Sequence, residues 1–151
     1  MSKGLYPFGL NHYRSLKFQK LKKLISKNQR KIKVEGAYGS SLSFLLIDIF
    51  SSINQQIFYI SNTKETASYV YSDIIELIGE INCSFLPSNY RSDAKKIKDE
   101  SNIINRSKTI RDILDNETKI IVTYPEAIFE KIPNEKEIDS KTINIEKGQF
   151  L

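Results

Sequence analysis

Ile32-Lys33-Val34-Glu35-Gly36-Ala37-Tyr38-Gly39-Ser40-Ser41-Leu42-Ser43 decides how the chain is read. The stretch has the pattern of a short strand, a Gly- and Ser-rich turn and the opening of an apolar helix. That is the context of a phosphate-binding loop. A working loop runs Gly-x-x-x-x-Gly-Lys-Ser/Thr: its backbone N–H groups surround the phosphates, its lysine neutralises them and its hydroxyl binds Mg²⁺. Anchored on Gly36, the pattern puts Ser41 at the second glycine, Leu42 at the lysine and Ser43 at the hydroxyl. With leucine in place of the cation, triphosphate binding loses much of its electrostatic support, and phosphoryl transfer loses more. Two readings stay open. The segment is a structural turn, or it is a weak anion site formed by Gly36, Tyr38, Gly39, Ser40, Ser41 and Ser43 at a helix N-terminus.

Downstream the same pattern repeats. Strands are expected at 31–34, 56–60, 81–86 and 119–123, with the start of another at 142–145. Helices are expected at 10–26 and 42–53, and then one carrying Ala67, Val70, Tyr71, Ile74, Ile75 and Ile78 at i, i+3, i+4 spacing. A further helix is expected over 103–114, with Ile103, Ile104, Ile110, Ile113 and Leu114 on one face, and a short one from Pro125. Asn62 with Glu65 reads as a capping box for the third helix, and Gly79 as its terminator. Residues 88–100 read as a polar surface loop. The central run Ile120-Ile121-Val122 is continuous, as in a strand covered on both faces. Alternation of this kind means an α/β domain with a mainly parallel sheet flanked by helices. Residues 1–30 form a basic lead-in and amphipathic helix, 31–132 the α/β lobe, and 133–151 a linker leading into a further small domain.

Composition narrows the function. The chain has 151 residues, 40% of them hydrophobic, which is enough for one domain with a core. No apolar run reaches the roughly 20 residues needed to span a bilayer, and the N-terminus lacks a signal-peptide pattern. One cysteine, Cys83, and one histidine, His12, exclude an intrachain disulfide and a Cys- or His-rich metal cluster. The expected location is the cytoplasm, with no metal and no membrane partner. Residues 1–33 carry ten Lys and Arg and no acid, whereas the other 118 carry 13 basic and 18 acidic side chains. The basic segment 14–33 is therefore either a nucleic-acid-contacting arm or a solvated helix face. Phe44-Leu45-Leu46-Ile47-Asp48 imitates a Walker B run, but it falls on the helix after the loop instead of ending a strand. The serines have no histidine near them in sequence to activate them. Tyr90-Arg91, after Pro87, stands at the carboxyl end of a strand, where α/β folds bind ligands.

Three stretches in order carry a resemblance: Val34 to Phe44, then Phe85-Leu86-Pro87-Ser88-Asn89-Tyr90-Arg91, then Ile121-Val122-Thr123-Tyr124-Pro125-Glu126-Ala127-Ile128-Phe129-Glu130-Lys131. Over residues 10–151 the chain resembles the N-terminal region of the bacterial transcription-repair coupling factors (Mfd), the Bacteroidetes-type ones most. The resemblance implies an incomplete P-loop NTPase or helicase-like lobe, similar to excinuclease B, with a degenerate nucleotide site. It implies a non-catalytic interaction module that works in nucleotide-excision repair by recruiting excinuclease A, through a surface mostly beyond Leu151. The ATP- and Mg-dependent translocase motor and the contacts to RNA polymerase and DNA belong to other domains of such proteins. No cofactor is expected on this chain. The alternatives carried beside this are a small P-loop-like nucleotide- or phosphate-binding enzyme and a nucleic-acid-binding domain.

Overall fold

A computed structural model describes residues 16–27, 31–90 and 99–132. Five helices and three strands follow in the order α1 (Leu16–Ser26), α2 (Ser40–Ile53), β1 (Ile57–Ile60), α3 (Lys64–Ile78), β2 (Cys83–Phe85), α4 (Glu100–Leu114), β3 (Ile120–Thr123) and α5 (Pro125–Ile128). A single 3₁₀ turn, Glu80–Asn82, leads into β2.

The strands form a parallel sheet in the order β1-β3-β2. Ile57 pairs with Ile120 and Ile60 with Thr123, while Cys83 pairs with Ile120 and Phe85 with Val122. β3 is central and buried along its whole length, as its continuous apolar run requires. Side chains alternate across it. Ile120 and Val122 join α2 and α3 in the main core with Ile47, Phe50, Val70 and Ile74. Ile121 faces the other way, against Leu86, Ile110 and Ile113 of the α4 side. The result is three layers, with α3 linking β1 to β2 over one face and α4 linking β2 to β3 over the other. Each of the fully buried Ile120, Ile121 and Val122 contributes roughly 2–3 kcal/mol of apolar transfer.

Several boundaries move. The strand expected at 31–34 does not form; residues 31–38 have no regular structure. Lys31, Lys33 and Val34 are all exposed, so ordering them as a strand would bury almost nothing to offset the entropy lost. The cap of α3 is Thr63, one residue later than the Asn62 box: its Oγ1 accepts from the Thr66 N–H at 3.2 Å. Gly79 does end that helix, at φ 81°, where a side chain would be strained. α4 begins at Glu100, and Asp99 caps it by accepting from the N–H groups of Ser101 and Asn102. Its inward face carries Arg106, Thr109, Ile110 and Asp112, while Ile104 and Leu114, expected inside, are exposed. Residues 1–15, 133–151 and Arg91, on which other expectations rest, lie outside the described residues.

Cys83 sits deep in the main core, and burial pushes its thiol up to about 12. The native thiol should therefore react with a thiolate-seeking reagent at pH 8 about a thousandfold more slowly than in urea. Equal rates in the native and unfolded states would mean that β2 is not packed as described.

Candidate functional site

The Gly/Ser turn is closed by its own side chains. Ser41 Oγ donates to the Tyr38 carbonyl at 2.6 Å and accepts the Tyr38 N–H at 2.8 Å. The Ser41 N–H also turns to the Tyr38 carbonyl, at 3.3 Å, and the Leu42 N–H to that of Gly39, at 3.0 Å. Of the peptide donors from Tyr38 to Leu42, the turn leaves only Gly39 and Ser40 unused. Gly36 and Gly39 supply positive φ, 86° and 54°, and Tyr38 projects into solvent.

Beyond the turn the side chains point away from any phosphate. Leu42 is half-buried and packs against the main core. Ser43, at the Mg²⁺-binding position of the motif, is fully buried and its Oγ donates to Asp73 Oδ2 at 3.1 Å. Asp73 lies ten residues past the Thr63 cap, about 15 Å along α3 at 1.5 Å per residue. The cap stands just past the carboxyl end of β1. So this hydroxyl meets the lower part of α3, well away from the sheet end where α/β folds receive ligands. Asp48, the acid of the Walker B-like run, accepts from Lys22 Nζ at 3.2 Å and ties α1 to α2. Lys20, Lys23 and Lys27 of the basic segment line one exposed stripe, with Leu21, Leu24 and Ile25 less exposed on the rest of the helix.

The densest polar arrangement stands at the carboxyl end of the sheet and joins two of the motif stretches. Arg106, on α4, is only 2% exposed. Its Nη1 donates to the carbonyls of Pro87 at 2.8 Å and Ala127 at 2.9 Å, and its Nη2 to that of Glu130 at 3.3 Å. Its Nε lies 3.6 Å from Glu130 Oε2. The Glu130 carboxylate takes the Ser88 hydroxyl and, with both oxygens, the Asn89 N–H at 3.0 and 3.1 Å. The buried Tyr124 hydroxyl accepts the Ser88 N–H at 2.9 Å. Burial raises the Tyr124 hydroxyl above its ordinary range, so it stays protonated at neutral pH. Thr109 and Thr123 donate to the carbonyls of Phe85 and Leu86. Where this fold class commonly holds a ligand, the donors of Arg106, Ser88 and Asn89 are taken up by the chain itself, while Ser61 Oγ, just past β1, and Asn102 Nδ2, in the first turn of α4, are buried with no partner among the described residues.

Neither Arg106 nor Glu130 stands out as a functional residue in the sequence. The available signal was Arg106 sharing a helix face with Ile103, Ile110 and Ile113, three, four and seven residues away. A charge in an apolar stripe has to meet partners. Gly36, Tyr38, Gly39, Ser40 and Ser41 of the candidate anion site are thus brought together in one turn, with the Ser43 hydroxyl turned away to Asp73, while the turn at Pro87 belongs to a separate cluster. Among the described residues no group of His, Cys, Asp and Glu is arranged to hold a metal ion, and no helix is long and apolar enough to cross a membrane. No protein-family model matches this chain, and no curated protein matches it either.

Proposed function

We propose that the chain is a non-catalytic interaction and scaffold lobe of the transcription-repair coupling type. On this reading it belongs to the N-terminal module of an ATP-driven DNA translocase. That module recruits excinuclease A in nucleotide-excision repair, and the motor and the contacts to RNA polymerase and DNA lie in other domains. The lobe is a helicase-like α/β unit whose Gly/Ser turn has the sequence spacing of a phosphate loop without its working groups. The observation that carries the reading is the fate of the motif positions: Leu42 packs on the core and Ser43 is spent on Asp73. The order of the three stretches supports it, as does the direct bonding of the second to the third through Ser88, Tyr124 and Glu130.

The reading makes a measurable demand on nucleotide binding. Titration of the chain with ATP and Mg²⁺ is expected to give no saturable heat at micromolar concentrations, and no phosphate release. Micromolar, Mg²⁺-dependent binding that survives Leu42→Asp would overturn the degenerate-site account. It would favour a phosphate-handling enzyme with its cation supplied from elsewhere, Lys33 being the first to test.

A further inference from the structure

β1 pairs with β3 on one side and has no strand on the other among the described residues. The direction of its unused peptide groups is fixed by the pairing it does make. The Ile57 N–H donates to the Lys119 carbonyl and the Ser61 N–H to the Thr123 carbonyl. In a parallel ladder this alternation turns Ile57, Tyr59 and Ser61 toward β3, so the N–H and C=O of Phe58 and Ile60 point outward. The side chains of the same two residues stand on the α4 side of the sheet, where no helix among the described residues covers β1. Phe58 is 50% exposed and Ile60 55% exposed. Free strand edges are normally blunted by charge, proline or a bulge. Here the sequence from Ile49 to Thr63 carries no charge and no proline. This neutral edge belongs to a chain of net charge +5, so two copies can meet there without opposing like charges.

We propose that β1 is a self-association edge, at which a second copy of this chain pairs antiparallel across a twofold axis beside Tyr59. The proposal is independent of the functional reading above. A twofold perpendicular to the sheet keeps each face continuous, so residues standing opposite must share a face. Every register centred on a residue satisfies this, and the two nearest the middle of β1 are centred on Phe58 and on Tyr59. Centring on Phe58 sets Ile60 opposite the partner's Gln56, an apolar side chain against a polar one. Centring on Tyr59 sets Phe58 opposite the partner's Ile60 twice over, in hydrogen-bonded pairs that use the four outward N–H groups and four outward carbonyls. Tyr59 then faces the partner's Tyr59 in the non-hydrogen-bonded pair on the core side. The second register matches aromatic with β-branched apolar side chains, a favourable cross-strand pair. It joins two three-stranded sheets into one of six.

Sedimentation equilibrium of the full chain between about 1 and 200 μM tests this. The expected result is a concentration-dependent rise from the 17.4 kDa monomer toward twice that mass. Ile60→Lys should weaken the association about tenfold or more, and its circular dichroism should be unchanged because Ile60 is half exposed. Register has its own readout. Under mild oxidation Tyr59→Cys should cross-link to itself, since opposite Cβ atoms in such a pair lie about 4.5–5.5 Å apart. Phe58→Cys should not, because its counterpart stands two residues along the partner strand. A monomer at 200 μM, a dimer indifferent to Ile60→Lys, or equal cross-linking at both positions would overturn the proposal.

Discussion

Arg106→Ala should cost about 3–5 kcal/mol, the range measured when one partner of a buried ionic network is removed. Domains of this size are stable by only about 5–15 kcal/mol, so the loss is a large share of the total and the variant is expected to unfold at a markedly lower urea concentration. The loss has three physical parts. The carbonyls of Pro87, Ala127 and Glu130 lose their donors in a buried place. The Glu130 carboxylate keeps the Ser88 and Asn89 donors but loses its cation. The aliphatic stem no longer fills the space between α4 and the sheet end. Urea unfolding is the measurement, with Arg106→Met separating stem from charge and Arg106→Lys separating charge from fork geometry. Lysine has the charge but cannot reach three carbonyls with a planar fork, so it should recover only part of the loss. A loss below 1 kcal/mol for Arg106→Ala would show that the guanidinium is solvated and the cluster loose. Pairing the change with Glu130→Ala gives a second check. The double variant should be less unstable than the sum of the singles by 1 kcal/mol or more, because both act through one network.

That cluster also shows where sequence reading reaches and where it stops. The parallel α/β class was legible, because helices of 14 and 15 residues alternate with short apolar strands. The covering of β3 on both faces was legible in its unbroken Ile-Ile-Val run, as was the end of α3 at Gly79. The strand at 31–34 was not, since four alternating residues look the same whether or not another strand stands beside them to receive their hydrogen bonds. Strand formation is settled by a neighbour that local sequence does not show. The inward face of α4 was misjudged for a related reason. A count of isoleucines places Ile104 and Leu114 inside, but Arg106, Thr109 and Asp112 take those positions because the sheet offers them carbonyls, a serine and a lysine. The Gly/Ser turn was found as a turn. Only its tertiary setting shows Ser43 engaged with Asp73, thirty residues away in the chain.

Asp112→Ala is expected to lose about 3 kcal/mol, by the same argument at the other end of α4. Asp112 Oδ2 accepts from Ser84 Oγ at 2.7 Å and from Lys119 Nζ at 2.9 Å. Lys119 pairs with Glu117 as well. Ser84 lies on β2 and Lys119 in the lead into β3, so this cluster sets the height of α4 on the sheet as Arg106 does at the carboxyl end. The apolar contact between them is small, resting on Ile110 and Ile113 against Leu86 and Ile121. That is why polar ties should matter more here than on the α3 side. The cluster also carries a pH signature. Burial by itself lowers the Lys119 ammonium, but the hydrogen bonds it donates to Glu117 and Asp112, with their charges, more than reverse this and hold it above its ordinary 10.5. A group raised on folding contributes its full stability below its unfolded value and loses it as pH climbs through the folded one. Lys119→Met should therefore be less stable than the wild type by a constant margin up to about pH 10, with the margin shrinking above the ordinary lysine value. Urea midpoints of both proteins at pH 7, 9, 10 and 11 measure it. A margin that widens with pH would mean that the carboxylates do not hold Lys119 in its charged form. A margin absent at pH 7 would mean that α4 is held to the sheet by its few isoleucines and by Arg106 alone.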